Sequence, residues 1–398
     1  MDHYAGIDVS LKEASVCVVD ATGKIVREAK VATDPTALIA WFGEVKLNLV
    51  RIGLEAGPFS QWLYAAMKDA GLPVELLETR HVRNAFKTMA VKTDRKDARG
   101  IAELMRVGWF KPVHCKSVNA QEMRIMLNAR SLVDSKLKDV ESSLRGMLRN
   151  FGLKVGRTTA TRFADRIKEL VAGHPTLEII AESLLAARAA LLREFKNLEK
   201  RVRIIARHDA KARLLMTTTG VGPIVSLTYA SAIDDPARFK NSKVVGAYYG
   251  ITPKKYQSGE TDVTGRISKF GDKAVRMALY QAAHIVLTKP VKPSALKDWA
   301  LRLAKRVGMS KAKVALARKL AVIMHRMLID GKPFNPAAGA AGGLTRRVQE
   351  FSGQVNDTSL PETDVPSPGR WTGQTVAHLV GTSTTPNVDW SAFPLRTP

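Results

Sequence analysis

The chain has 398 residues, enough for two or more domains and a sizeable core. Its 62 Lys and Arg outnumber 37 Asp and Glu, and a net charge of +25 favours a polyanionic partner such as nucleic acid. Cys17 and Cys115 are too few and too distant for a disulfide framework or a thiolate zinc site, which fits a reducing cytoplasm; no apolar run approaches the roughly 18 residues of a membrane span, and the start lacks the pattern of a signal peptide.

Residues 4–9, 13–19 and 24–31 read as three short strands, with Asp8 near the end of the first and a turn at 21–23. Cys17 alternates with Ser15 and Val19 and reads as core. Asp34 and Pro35 open an amphipathic helix carrying Leu38, Ile39, Trp41 and Phe42. A fourth strand over 49–54 ends at Glu55; a helix over 61–70, a strand over 73–77 and a helical stretch from His81 toward Met89 follow. Three successive strands and then alternation with helices is the order of an RNase H-like α/β domain. In that fold the first and fourth strands are neighbours, so Asp8 and Glu55 share a crevice at strand C-termini.

Asp94 and Asp97 are three apart at a helix start and project from one face. Each acid alone has an ordinary explanation: a turn cap for Asp8, a favoured helix N-terminus for the aspartates. Together the four predict a carboxylate cage for Mg²⁺ or Mn²⁺, hard cations that take oxygen ligands. A pair of such ions about 4 Å apart stabilises both oxygens of a phosphodiester displacement. Ten Lys and Arg against three acids over 80–116, Arg95 and Lys96 among them, suit an approaching phosphate backbone.

Over 123–151 the pattern becomes heptad, and it does so again from about Leu191. Val133, Leu137, Val140, Leu144, Met147 and Phe151 form one seam, and Leu191, Phe195, Leu198, Val202 and Ile205 a second. Leu184 extends the second seam upstream, with Arg188 at the intervening position. These predict long helices that pair as an antiparallel hairpin or as an intermolecular coiled coil.

Residues 209–335 read as a second compact unit, helical at both ends with a Gly-rich centre. Gly220 and Gly222 in TGVGP precede an apolar helix over 224–233; the turn reads either as a helix-hairpin-helix that binds a phosphate through backbone N–H groups or as an ordinary interhelical turn. The centre continues as a basic loop with Lys254, Lys255, Arg266 and Lys269 around Ser258, and Ser268 nearby. A serine nucleophile for phosphoryl transfer needs exposure, backbone freedom and positive charge, although a loop serine is more often a turn former. Residues 292–332 carry eleven Lys and Arg against two acids over an apolar face of Leu296, Trp299, Leu303 and Val307; this reads as a backbone-tracking surface or as a solvated helix pair. Residues 336–398, rich in Pro, Ser, Thr and Gly, read as a disordered tail.

GIDVS, GLEAGP and KTDRKDAR, then TGVGP, YYGITPKKYQSG and GRISKFGD, resemble in order the DEDD transposases of the insertion-sequence-110 family, over roughly 4–330. The resemblance implies a RuvC/RNase H-like catalytic domain over 1–117 whose metal-binding tetrad maps to Asp8, Glu55, Asp94 and Asp97. It also implies coiled-coil oligomerisation helices over 118–208 and a transposase domain over 209–335 with a nucleophilic serine at Ser258. Its further implications are donor and target DNA as partners, a structured bridge RNA that guides target choice, and assembly as a dimer or tetramer with active sites shared between subunits. Such an enzyme works at the bacterial nucleoid. A pilin-gene-inverting type of site-specific recombinase shares these motifs, and a purely hydrolytic junction nuclease or a non-catalytic nucleic-acid-binding protein are the remaining alternatives.

Overall fold

The computed structural model describes residues 1–88 and 92–337; the tail expected over 336–398 lies outside them except for its first two residues. The described residues form one compact unit. Among the described residues no helix is long and apolar enough to cross a membrane.

The first part is a five-stranded sheet in the order β3-β2-β1-β4-β5. β1 (His3–Val9), β2 (Glu13–Asp20) and β3 (Ile25–Ala32) form an antiparallel meander, and β4 (Leu49–Glu55) and β5 (Val74–Leu77) extend it in parallel from β1. This is the order and sense expected for an RNase H-like sheet. β2 is buried along nearly its whole length, Cys17 included, because helices cover both faces. On one face lie α1 (Pro35–Val45) and α2 (Ser60–Asp69), with Leu38, Phe42, Leu63 and Met67 in the core. Asp34 caps α1 by accepting from the backbone N–H groups of Thr36 and Ala37. On the other face lies α4 (Asp94–Val107), reached through the short α3 (Thr79–Ala85).

α5 (Val118–Arg149) and α7 (Pro175–His208) pair within the chain as an antiparallel hairpin, with α6 (Phe163–Val171) packed between their far ends. The sense follows from the cross-pairs: Arg130 meets Glu199, and Glu141 meets Arg188. Leu137, Leu144 and Leu148 are buried, whereas Phe151 lies beyond the helix end and is 60% exposed, so the first seam closes on Leu148. Arg188, which interrupts the second seam, is 4% exposed. Its guanidinium donates to Glu141 and to the Ala160 carbonyl at 2.9 Å, and it lies 4.7 Å from the Phe163 ring centre. A buried cation so satisfied keeps the helix pair in register.

The last part is mainly helical: α8 (Ala210–Met216), α9 (Pro223–Ile233), α10 (Val244–Tyr248), α11 (Lys273–Thr288), α12 (Ala295–Val307) and α13 (Met309–Asp330). α9 is buried from Val225 to Ile233, and α5, α7, α8 and α11 surround it. The Gly-rich centre departs from the expected loop. It is an antiparallel ribbon of β6 (Pro253–Ser258) and β7 (Thr261–Ile267), exposed on nearly every residue. A ribbon wet on both faces has no buried side to impose apolar alternation, so its period was invisible.

Candidate active site

Asp8 and Glu55 occupy equivalent places at the C-terminal ends of neighbouring parallel strands. Each stands two residues after a glycine, and those glycines, Gly6 and Gly53, are partners in the β1–β4 register. A Cβ on Gly6 would stand 2.2 Å from the Ala98 carbonyl oxygen, and one on Gly53 would stand 2.6 Å from Cγ2 of Ile101. α4 therefore rests on bare backbone. Its first turn carries Asp94 and Asp97, whose charges both act on Asp8. Thr93 caps that turn by accepting from the Lys96 backbone N–H at 3.3 Å.

Glu28 of β3 anchors the same helix, pairing with both Arg95 and Arg99. Hydrogen bonds from Arg99 first, and then from Arg95, outweigh burial and hold the Glu28 carboxyl down to about 2. Arg95, read from sequence as a phosphate contact, is thus already engaged in positioning α4. Lys96 on the next position is exposed.

The electrostatics of the carboxylates are those of crowded like charges. Asp8 is raised to about 6, first by burial and then by Asp97, Asp94 and Glu55, with only Lys92 opposing. Glu55 is raised by burial and by Asp97, again against Lys92. Lys92 Nζ lies 3.6 Å from Asp97. Asp97 is 8% exposed, and its Oδ1 is buried without a hydrogen-bond partner. Hard anionic oxygens, one of them orphaned, facing a single ammonium suit a divalent cation. The four share a field without closing into a ready ligand shell: among the described residues no three His, Cys, Asp or Glu side chains are gathered tightly enough to hold an ion.

Ser258 stands apart. It ends β6 opposite Thr261, beside the turn at Gly259, and is exposed; among the described residues no hydrogen bond joins it to the carboxylates. Ser268 lies at the ribbon root, where its backbone N–H donates to the Thr252 carbonyl. Farther down the ribbon, Lys255 stands opposite Thr264 and pairs with Asp262 at 3.1 Å, and Lys254, near the root, lies 6.0 Å from the Phe270 ring centre. Arg266 and Lys269 are exposed. Gly220 serves packing: its φ is +83°, and a Cβ there would meet Val286 of α11 at 2.7 Å. Gly222 is the N-cap of α9.

Sequence reading missed the paired glycines, Lys92 and Glu28. The Gly-x-acid spacing common to GID and GLE was the one local signal for the first of these.

Residues 5–152 match the DEDD transposase family of IS110, described as "Transposase", and residues 212–298 match the family described as "Transposase IS116/IS110/IS902 family". The chain is 25% identical over 329 residues to the transposase for insertion sequence element IS1111A of Coxiella burnetii, covering 81% of this chain and 88% of that one. It is 29% identical over 128 residues to the pilin gene-inverting protein of Moraxella bovis, covering 31% of this chain and 39% of that one. The Thermus thermophilus RuvC structure in complex with a Holliday junction matches at 16% identity and a TM-score of 0.23, over 28% of this chain and 100% of RuvC.

Proposed function

The chain belongs to the IS110 family of DEDD transposases, enzymes of DNA transposition, and from that premise we propose that it inserts and excises its mobile element by divalent-cation-dependent strand cleavage and exchange. The observation that carries the reading is Asp8 at a strand end, raised to about 6 among three further carboxylates. Asp8, Glu55, Asp94 and Asp97 would hold Mg²⁺ or Mn²⁺, which supplies Lewis-acid polarisation of the scissile phosphate. Lys92 balances part of the carboxylate charge, and Glu28 fixes the helix that presents Asp94 and Asp97.

Exchange proceeds through Ser258. Its Oγ attacks phosphorus as the bond to the 3′-oxygen breaks; the serine proton is transferred to that oxygen, leaving a 5′-phosphoserine and a free 3′-hydroxyl. The 3′-hydroxyl of a partner strand then reverses the step and releases Ser258. Lys254, Lys255, Arg266 and Lys269 neutralise the phosphates, because charge develops on phosphoryl oxygens in the transition state. Ser258 lies on an exposed ribbon and shares no hydrogen bond with the acids among the described residues, which favours an active site shared between subunits of a dimer or tetramer. The α5–α7 helices and a bridge RNA belong to the same reading as assembly surface and guide.

The test uses nicked suicide substrates that trap a covalent protein–DNA adduct. Ser258→Ala should form none, and Asp8→Asn should neither cleave nor form the adduct. An adduct with Ser258→Ala removes the serine from the mechanism, and cleavage without any adduct leaves a hydrolytic nuclease. The likeness to the pilin gene-inverting protein favours a site-specific invertase as the second reading. Inverted sites flanking a surface-protein gene would support it; element ends beside a structured noncoding RNA would support the transposase.

A further inference from the structure

A cleft of about 1250 Å³ opens where residues 56–61 and 78–84 of the sheet part face residues 247–249 and 270–272 of the helical part. It begins at Ala56, the residue after Glu55, so it adjoins the carboxylates. Five buried side-chain polar atoms lack a hydrogen-bond partner among the described residues: one is Oδ1 of Asp97, and three belong to residues lining this cleft, Gln61 Oε1, Arg238 Nη2 and Tyr249 Oη. These atoms stand in the wall behind the lining, closed to water, so the surface that a ligand meets is made by the open side chains.

The charges identify its class. Glu78 is neutralised by Lys111 at 2.7 Å, and Asp272 by Arg124 at 2.5 Å. The acids of the lining are thereby answered, while Arg80, Lys116 and Arg238 add positive charge. Arg238 is fixed rather than loose: its Nε donates to the Ile233 carbonyl at 3.1 Å, and its guanidinium lies 4.7 Å from the Tyr248 ring centre. Arg80 lies 5.0 Å from the Phe270 ring centre. Tyr248 and Phe270 are nonetheless 42% and 55% exposed, leaving ring surface open to a planar group. Guanidinium groups beside two open aromatic rings match two parts of a nucleotide, the phosphate and the base face.

We propose that this cleft receives an unpaired nucleotide of the nucleic-acid substrate. The guanidinium of Arg80 or Arg238 takes its phosphate, and Tyr248 or Phe270 stacks its base. The role for such a nucleotide rests on the strand-cleaving reading above, since extruding one residue from a duplex brings the neighbouring phosphodiester to the carboxylates; binding is measurable without cleavage.

The test is fluorescence anisotropy of the full chain in EDTA. The probes are labelled duplexes, fully paired or carrying one central unpaired nucleotide, made as DNA and as RNA. The unpaired probe should bind about tenfold more tightly in at least one of the two series, which identifies the strand recognised. Tyr248→Ala and Phe270→Ala, which remove the two open rings, should each remove most of that preference and leave affinity for the paired duplex unchanged. Equal affinity for paired and unpaired probes in both series, or a preference retained by both variants, overturns the proposal. Continued DNA cleavage by Asp8→Asn would overturn the catalytic reading instead and leave a measured preference standing.

Discussion

Gly6 and Gly53 stand opposite one another in the parallel β1–β4 ladder, and α4 lies across both. The carboxylate site depends on that contact, because Asp8 and Glu55 follow the glycines on the strands while Asp94 and Asp97 precede the helix residues that touch them. Gly6→Ala drives a Cβ into the Ala98 carbonyl and Ala102 nitrogen, which cannot yield; Gly53→Ala meets the side chains of Ile101 and Met105, which can turn. Urea denaturation should show a loss of about 3 kcal/mol for Gly6→Ala and about 1 kcal/mol for Gly53→Ala. Cleavage by Gly6→Ala should fall further than its folded fraction predicts, since lifting α4 separates the acids.

Asp8 gives the fold a pH dependence of definite sign. Its carboxyl is raised to about 6 from 3.8, so between about pH 4 and 6 the folded state binds more protons than the unfolded one. This group's contribution to stability therefore falls as pH rises through that window and is flat above it. Glu28, held down to about 2, has the opposite sign, its contribution being lost as pH falls from about 4.5 toward 2. The difference between wild type and Asp8→Asn isolates Asp8. In EDTA, Asp8→Asn should be the more stable protein at pH 7, with the gap closing toward pH 4 in urea titrations. Mn²⁺ affinity of the wild type should climb as pH passes 6, because binding displaces the Asp8 proton.

The strand order, the ends at which the acids sit and the Asp34 cap were legible because each has a local cause: an apolar run closed by an acid, or a capping residue before Pro35. The pairing of Gly6 with Gly53 was not, since their register joins strands more than forty positions apart. Arg188 read as a flaw in a seam because its partners, Glu141 and Ala160, come from elsewhere in the chain. The cleft is assembled from Gln61, Arg238 and Tyr249, which lie far apart in sequence, and only Tyr249 falls in a quoted motif. The β6–β7 ribbon escaped because its residues are exposed on both faces among the described residues.

Arg188 supports a stability prediction. Arg188→Ala leaves Glu141 unpaired and opens space beside Phe163, and calorimetry should register a loss of about 3 kcal/mol. Arg188→Leu restores an apolar seam residue of helix-forming type. It should recover at least half of that loss, because packing replaces the pair even though Glu141 must turn to water. A leucine variant no better than alanine would mean that the ion pair itself sets the hairpin's stability.

The junction between sheet and helices turns on Asp234, which sits at a φ of +61° after α9. It accepts from the Ser117 backbone N–H and His114 Nε2, both at 2.8 Å, and from the Ser117 hydroxyl at 2.6 Å. Burial pushes its carboxyl up, but these bonds more than compensate and leave it below the ordinary range. Asp234→Gly keeps the backbone conformation accessible and removes the clasp. Hydrogen exchange at the Ser117 amide should accelerate by about tenfold or more, as expected for losing about 1.5–3 kcal/mol of charge-assisted bonding. Exchange in β1 and β2 should not change.

The basic residues of the ribbon differ in how much charge they can offer to DNA, and salt dependence separates them. Each cation that neutralises a phosphate adds about 0.9 to the slope of log affinity against log salt. Lys255 is paired with Asp262, so neutralising it also frees an acid that repels the backbone; Arg266 has no such pair among the described residues. Arg266→Gln should lower the slope by about one. The double variant Lys255→Gln, Asp262→Asn should lower it much less, because a paired lysine makes little net contribution to counterion release. The same logic separates Lys96 from Arg95. Lys96→Gln should reduce the slope with stability intact, whereas Arg95→Gln should weaken the Glu28 anchor and depress cleavage more than binding. Equal slope changes at Arg95 and Lys96 would return Arg95 to the DNA-contacting set.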